Sequence, residues 1–109
     1  MELAEKKCIP CEGGIPPMNS AEIEEYKKHI NHDWKLESGG KLVREHLFVN
    51  FRHTMDFVNK VALLAEEEGH HPVLHVYYSK LKIELWTHAI NGLSENDFIL
   101  AAKIDKLKV

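Results

Sequence analysis

The sequence predicts an α+β domain: a four-stranded antiparallel sheet with helices packed on one face, in the order α-β-β-α-β-β-α. Three observations carry that reading. Three segments repeat apolar residues at spacings of three and four, as helices do. Two others alternate apolar and polar residues and break at a turn, as β-hairpins do. Hairpin pairing is antiparallel, and a chain of 109 residues suits one core covered on one side.

Residues 1–18 read as an N-terminal arm, with residues 19–109 as the domain. The run Glu12-Gly13-Gly14-Ile15-Pro16-Pro17 has no periodicity and two kinds of breaker. A first helix is predicted from Asn19-Ser20, both good N-caps, with Glu22 and Glu24 near its positive end. Ile23, Tyr26 and Ile30 share one face, and the helix is expected to stop near Asn31-His32. Asp33 to Glu37 alternates as a half-buried strand; Ser38-Gly39-Gly40 can supply a turn with positive φ, and Lys41 to Asn50 returns as its partner. The second helix, from about Thr54 to Glu68, has Met55, Val58, Val61, Ala62 and Ala65 on one stripe. Gly69 suits the left-handed cap position, and Pro72 forbids continuation. Val73 to Thr87 is too long for one strand and splits at Tyr78-Ser79-Lys80, with Leu81, Ile83 and Leu85 facing one way. After a loop containing Gly92, Ser94 caps a third helix; Ser94 and Asp97 have capping-box spacing, and Leu100, Ala101, Ile104 and Leu107 form its core stripe.

Composition narrows the function classes. Fourteen basic against seventeen acidic residues give a formal charge of −3, with the basic residues scattered. That offers no general attraction to nucleic-acid phosphates. No apolar run approaches the roughly 20 residues of a membrane helix. The N-terminus, Met1-Glu2-Leu3-Ala4-Glu5-Lys6-Lys7, lacks an apolar signal core, so a cytoplasmic location is expected. The pair Cys8-Ile9-Pro10-Cys11 has three readings: an incidental arm, half a zinc site, or a redox pair.

Chemistry concentrates between Glu66 and Asp97. His70 and His71 follow the end of the second helix, and His88 follows the last strand. Imidazole both donates and accepts protons near neutrality. The negative helix C-terminus and the run Glu66-Glu67-Glu68, Glu66 standing four residues before His70, favour the charged form, whereas burial opposes it. The bland alternatives are an exposed, idle pair of loop histidines, Asp97 as a simple cap, and an acidic run that is an ordinary solvated face. His29, His32, His46 and His53 read as surface or strand residues, and Tyr77, Tyr78 and Trp86 as packing residues.

The segment resembles the pterin-4a-carbinolamine dehydratase family. The resemblance rests on Glu66 ahead of His70-His71-Pro72, then Tyr78, Thr87-His88, and Gly92-Leu93-Ser94-Glu95-Asn96-Asp97, together with the element order from about residue 19 onward. Many relatives carry an acidic residue and then an aromatic after the proline, where this chain has Val73 and Leu74. The resemblance implies a dehydratase that removes the C4a hydroxyl of a 4a-hydroxytetrahydropterin as water, in tetrahydropterin recycling, without metal or redox cofactor. It carries His70 and His88 over as acid–base histidines and His71 as the pterin-binding one. Pro72, Thr87, His88 and Ala89 are expected to line the ring pocket, with Glu66 and Asp97 orienting the histidines. A homodimer or homotetramer is expected, with no direct nucleic-acid or membrane partner.

Three further functions compete with this one. Three histidines and a water can hold zinc in a small hydrolase, although adjacent His70 and His71 tend to point apart. The resembled family also implies a non-catalytic role as a protein-binding or dimerisation cofactor. A molybdopterin-related role is the third.

Overall fold

The computed structural model describes residues 2–10, 13–37 and 39–109, and its elements follow the predicted order. Helix α1 (Ser20–Lys27) starts because Asn19 accepts the Glu22 N–H at 2.9 Å while Glu22 takes the Asn19 N–H at 3.1 Å. Such a cap contributes about 1 kcal/mol. The helix ends before the predicted Asn31-His32, because residues 28–30 tighten into i→i−3 turns. Strand β1 (Lys35–Glu37) is shorter than Asp33–Glu37. Trp34 is buried in the core instead of pairing, and its indole N–H donates to Asp105 at 2.8 Å.

Strand β2 (Lys41–Leu47) also stops short of the predicted Asn50. Asn50 is the cap of helix α2 (Phe51–Glu68), accepting the His53 N–H at 2.9 Å, so this helix begins earlier than Thr54. Phe57, Val61 and Ala65 form its buried stripe. Gly69 ends it with φ +66°, a conformation in which any side chain is strained. Strands β3 (Val73–Val76) and β4 (Lys80–Leu85) form the second hairpin, and helix α3 (Glu95–Asp105) closes the chain. Of the predicted first turn, Ser38 lies outside the described residues; Gly39 and Gly40 have φ +94° and +75°.

The sheet order is β1-β2-β4-β3, antiparallel throughout. Leu42 pairs with Leu85, Arg44 with Ile83 and His46 with Leu81, which puts these six on one face. Leu42, Leu81, Ile83 and Leu85 join Phe57 and Val61 of α2 and Phe98 and Leu100 of α3 in a single core. Nearly all of α3 is buried, from Asn96 to Ala102 and again at Ile104, a wider face than the predicted stripe. Helix α2 carries the chain from β2 to the outer strand β3, and β4 returns between them. Val73 pairs with Glu84; continuing that antiparallel register two residues brings His71 beside Trp86.

The segment read as an arm lies against this body. Leu3 and Cys8 are buried, Lys6 pairs with Glu95 at 2.9 Å, and the Met18 N–H donates to Leu93 at 2.9 Å. No helix among the described residues is long and apolar enough to cross a membrane.

Candidate active site

One cavity of about 300 Å³ opens where α2 ends and β4 runs out. His70, His71, Trp86, Thr87, His88 and Ala89 line it, so residues from both ends of the Glu66–Asp97 stretch meet there. Ile9 and Asn96 complete the wall.

His70 is the most constrained of the three histidines. Its Nε2 lies 2.6 Å from Asp97 Oδ1, with the imidazole 13% exposed and the carboxylate fully buried. The other oxygen of Asp97 accepts the Ser94 N–H at 2.9 Å and the Thr87 hydroxyl at 2.8 Å. Ser94 and Thr87 hydroxyls lie 2.7 Å apart, so Ser94 donates to Thr87 as Thr87 donates to Asp97. A buried carboxylate persists only when donors surround it. Here the capping position that starts α3 and the orientation of His70 depend on the same group. An acceptor on Nε2 fixes the proton there and leaves Nδ1 as the basic nitrogen.

His71 meets a different carboxylate. Glu66 Oε2 lies 2.8 Å from its Nε2, and both side chains are largely exposed. Helical spacing pointed Glu66 at His70. The left-handed turn at Gly69 takes His70 off the helix line, and Glu66 reaches His71 instead. His88 stands on a short 3-10 turn, His88–Ile90, with its ring stacked on Trp86 at 4.2 Å. The Lys41 ammonium lies 4.2 Å from the Trp86 centroid. Trp86, read from sequence as a packing residue, therefore holds a histidine in place; its position two residues before His88 in extended chain was the available signal.

The remaining predicted residues divide. Ala89 lines the cavity. Thr87 does too, but its hydroxyl is committed to Asp97 and Ser94, so it acts through that network. Pro72 is not among the lining residues; it stands one position before β3. Tyr78 is at the far turn, stacked on Phe51 at 6.3 Å. Among the described residues no group of three or more His, Cys, Asp or Glu side chains is placed to share a metal ion. Burial pushes the Cys8 thiol up to about 12, with the Glu68 charge adding to it. A reactive thiol needs the opposite shift. Cys11 lies outside the described residues.

The model of one family, described as pterin 4 alpha carbinolamine dehydratase, matches residues 16–107. The chain belongs to that family. Family relatives with the provisional name pterin-4-alpha-carbinolamine dehydratase include one from Rickettsia canadensis, 50% identical over 94% of this chain and 94% of the relative. Another, from Alkaliphilus metalliredigens, is 49% identical over 95% of this chain and 94% of its own length. Among solved structures, a protein from Brucella melitensis described as a transcriptional coactivator/pterin dehydratase superposes with TM-score 0.75 and 28% identity, covering 81% of this chain and 94% of that one. A pterin dehydratase-like protein described as a RuBisCO assembly factor in the alpha-carboxysome gives TM-score 0.58 and 25% identity, covering 71% and 89%.

Proposed function

We propose that this member of the pterin 4 alpha carbinolamine dehydratase family dehydrates a 4a-hydroxytetrahydropterin to the quinonoid dihydropterin, in tetrahydropterin recycling, by histidine acid–base catalysis. The observation that carries the reading is the His70–Asp97 pair, buried behind a cavity that His71 and His88 share. A volume of about 300 Å³ is at the lower end for ligand pockets and suits a flat bicyclic ring.

The chemistry asks for two proton transfers. Hydroxide leaves C4a poorly, so an acid protonates it as the C–O bond breaks; the N5 lone pair forms the C4a–N5 double bond. The N5 proton then leaves to a base, and the net change is loss of one water. In this reading His88, stacked on Trp86, supplies the first proton. His70, with Nε2 committed to Asp97, takes the second at Nδ1. His71 holds the ring, and Glu66 steadies His71. Such positioned transfers contribute about 10²–10⁴-fold each. The network around Asp97 also supports chemistry over a purely protein-binding role, since a docking surface needs no buried carboxylate behind a histidine.

The test is a dehydration assay on freshly generated 4a-hydroxytetrahydropterin, comparing wild type with His70→Ala, His71→Ala and His88→Ala. The expected result is loss of kcat in the His70 and His88 variants and a raised KM in the His71 variant, all three remaining folded. Equal rates in all four proteins sink the reading.

A further inference from the structure

We propose that the N-terminal segment is a working wall of the pterin site, with Ile9 as the contact residue and Asn96 as the positioning residue that holds it there. The inference rests on the site assignment above. It concerns a part of the chain that precedes residue 16, where the family match begins.

Among the described residues, Ile9 is the one lining residue of the histidine cavity that comes from outside residues 69–96. Its backbone is clamped at both polar atoms by one side chain. The Ile9 N–H donates to Asn96 Oδ1 at 3.0 Å, and Asn96 Nδ2 donates to the Ile9 carbonyl at 2.6 Å. This copies the two-bond exchange of an antiparallel strand pair with a single amide. Asn96 itself is only 6% exposed and sits in the first turn of α3, next to Asp97. One residue earlier, the Cys8 N–H donates to Glu68 Oε1 at 2.9 Å, and Lys103 holds the other oxygen of Glu68 at 2.8 Å. The strap is therefore pinned at two successive residues, Cys8 to the last turn of α2, just before His70, and Ile9 to the first turn of α3, which carries Asp97.

The side chain of Ile9 does not serve the core. It is 71% exposed, yet it borders both the histidine cavity and a neighbouring one of about 210 Å³ that also touches Pro10 and Ser94. A rigidly held backbone that presents an apolar side chain at the mouth of a site suits packing against the face of a flat ring. A loose tail would lose that contact to chain entropy.

Exposure makes the test clean, because Ile9 can change without loss of packing. Ile9→Trp is expected to crowd the mouth and raise KM about tenfold with kcat little changed, as expected for lost uniform binding. Its urea midpoint should equal that of wild type. Asn96→Ala is expected to raise KM in the same direction through the freed strap, with the pH profile of kcat unmoved because the His70–Asp97 pair stays intact. Asn96→Gln, which keeps the amide but lengthens its arm, should restore part of the loss. Wild-type KM in Ile9→Trp overturns the inference even if His70→Ala is inactive. A wild-type protein without dehydratase activity overturns the functional reading instead.

Discussion

His46 and His70 occupy opposite ends of β4. His46 pairs across to Leu81 near its start, and His70 lies by the loop beyond its end. Both rings are mostly hidden from water, but their neighbours differ. His70 faces a buried carboxylate. His46 sits 4.6 Å from the Phe57 ring, with Nδ1 unpartnered among the described residues and Arg44 on the same sheet face. Burial first and the Arg44 charge second push His46 down to about 4. The same residue type thus serves as a neutral core group at one end and as a carboxylate-bound cavity wall at the other. What decides is whether the fold delivers an anion alongside it.

Removing that anion is the most severe way to break the contrast. Asp97→Asn should lower kcat by about 10²–10⁴-fold, read in the dehydration assay. Because Asp97 acts through His70, the double variant with His70→Ala should be no slower than His70→Ala alone. The other end of the strand yields a stability effect. A histidine kept neutral when folded but free to charge when unfolded leaves stability complete above about pH 6.5. Stability then falls as pH drops toward 4, by up to about 1.4 kcal/mol per pH unit. Urea titrations from pH 7 to pH 4 should show that slope in wild type and a flatter one in His46→Leu. A smaller change comes from Trp86→Leu, which removes the platform under His88. A stacked pair contributes about 0.5–1.5 kcal/mol, so KM or kcat should shift by about two- to twelvefold. The mildest is Glu66→Gln. An exposed pair contributes about 0–1 kcal/mol, so melting should be almost unchanged and KM should rise no more than about fivefold.

Much of this architecture was legible in local pattern. The stripe of α2, its stop at Gly69 and the alternation of Leu81, Ile83 and Leu85 all come from neighbours within a few residues, where periodicity speaks directly. The start of α2 was misplaced because Phe51, Arg52 and His53 are exposed and add nothing to the stripe. Only the Asn50 cap marks that start. Trp34 looked like strand because its flanks alternate, but its partner Asp105 is far along the chain. In the site, the gathering of His70, His71 and His88 could be anticipated from where elements end. Which carboxylate serves which histidine could not, since one left-handed residue redirected Glu66. The Ile9–Asn96 clamp spans 87 positions and leaves no periodic trace.

Asp97 terminates the free backbone amide of Ser94 with the same carboxylate that steers His70. That amide is therefore a natural reporter. Its hydrogen exchange should slow or quicken with every event that tightens or loosens the imidazole, so an isotope-exchange measurement at one backbone position follows the readiness of the site without any substrate present.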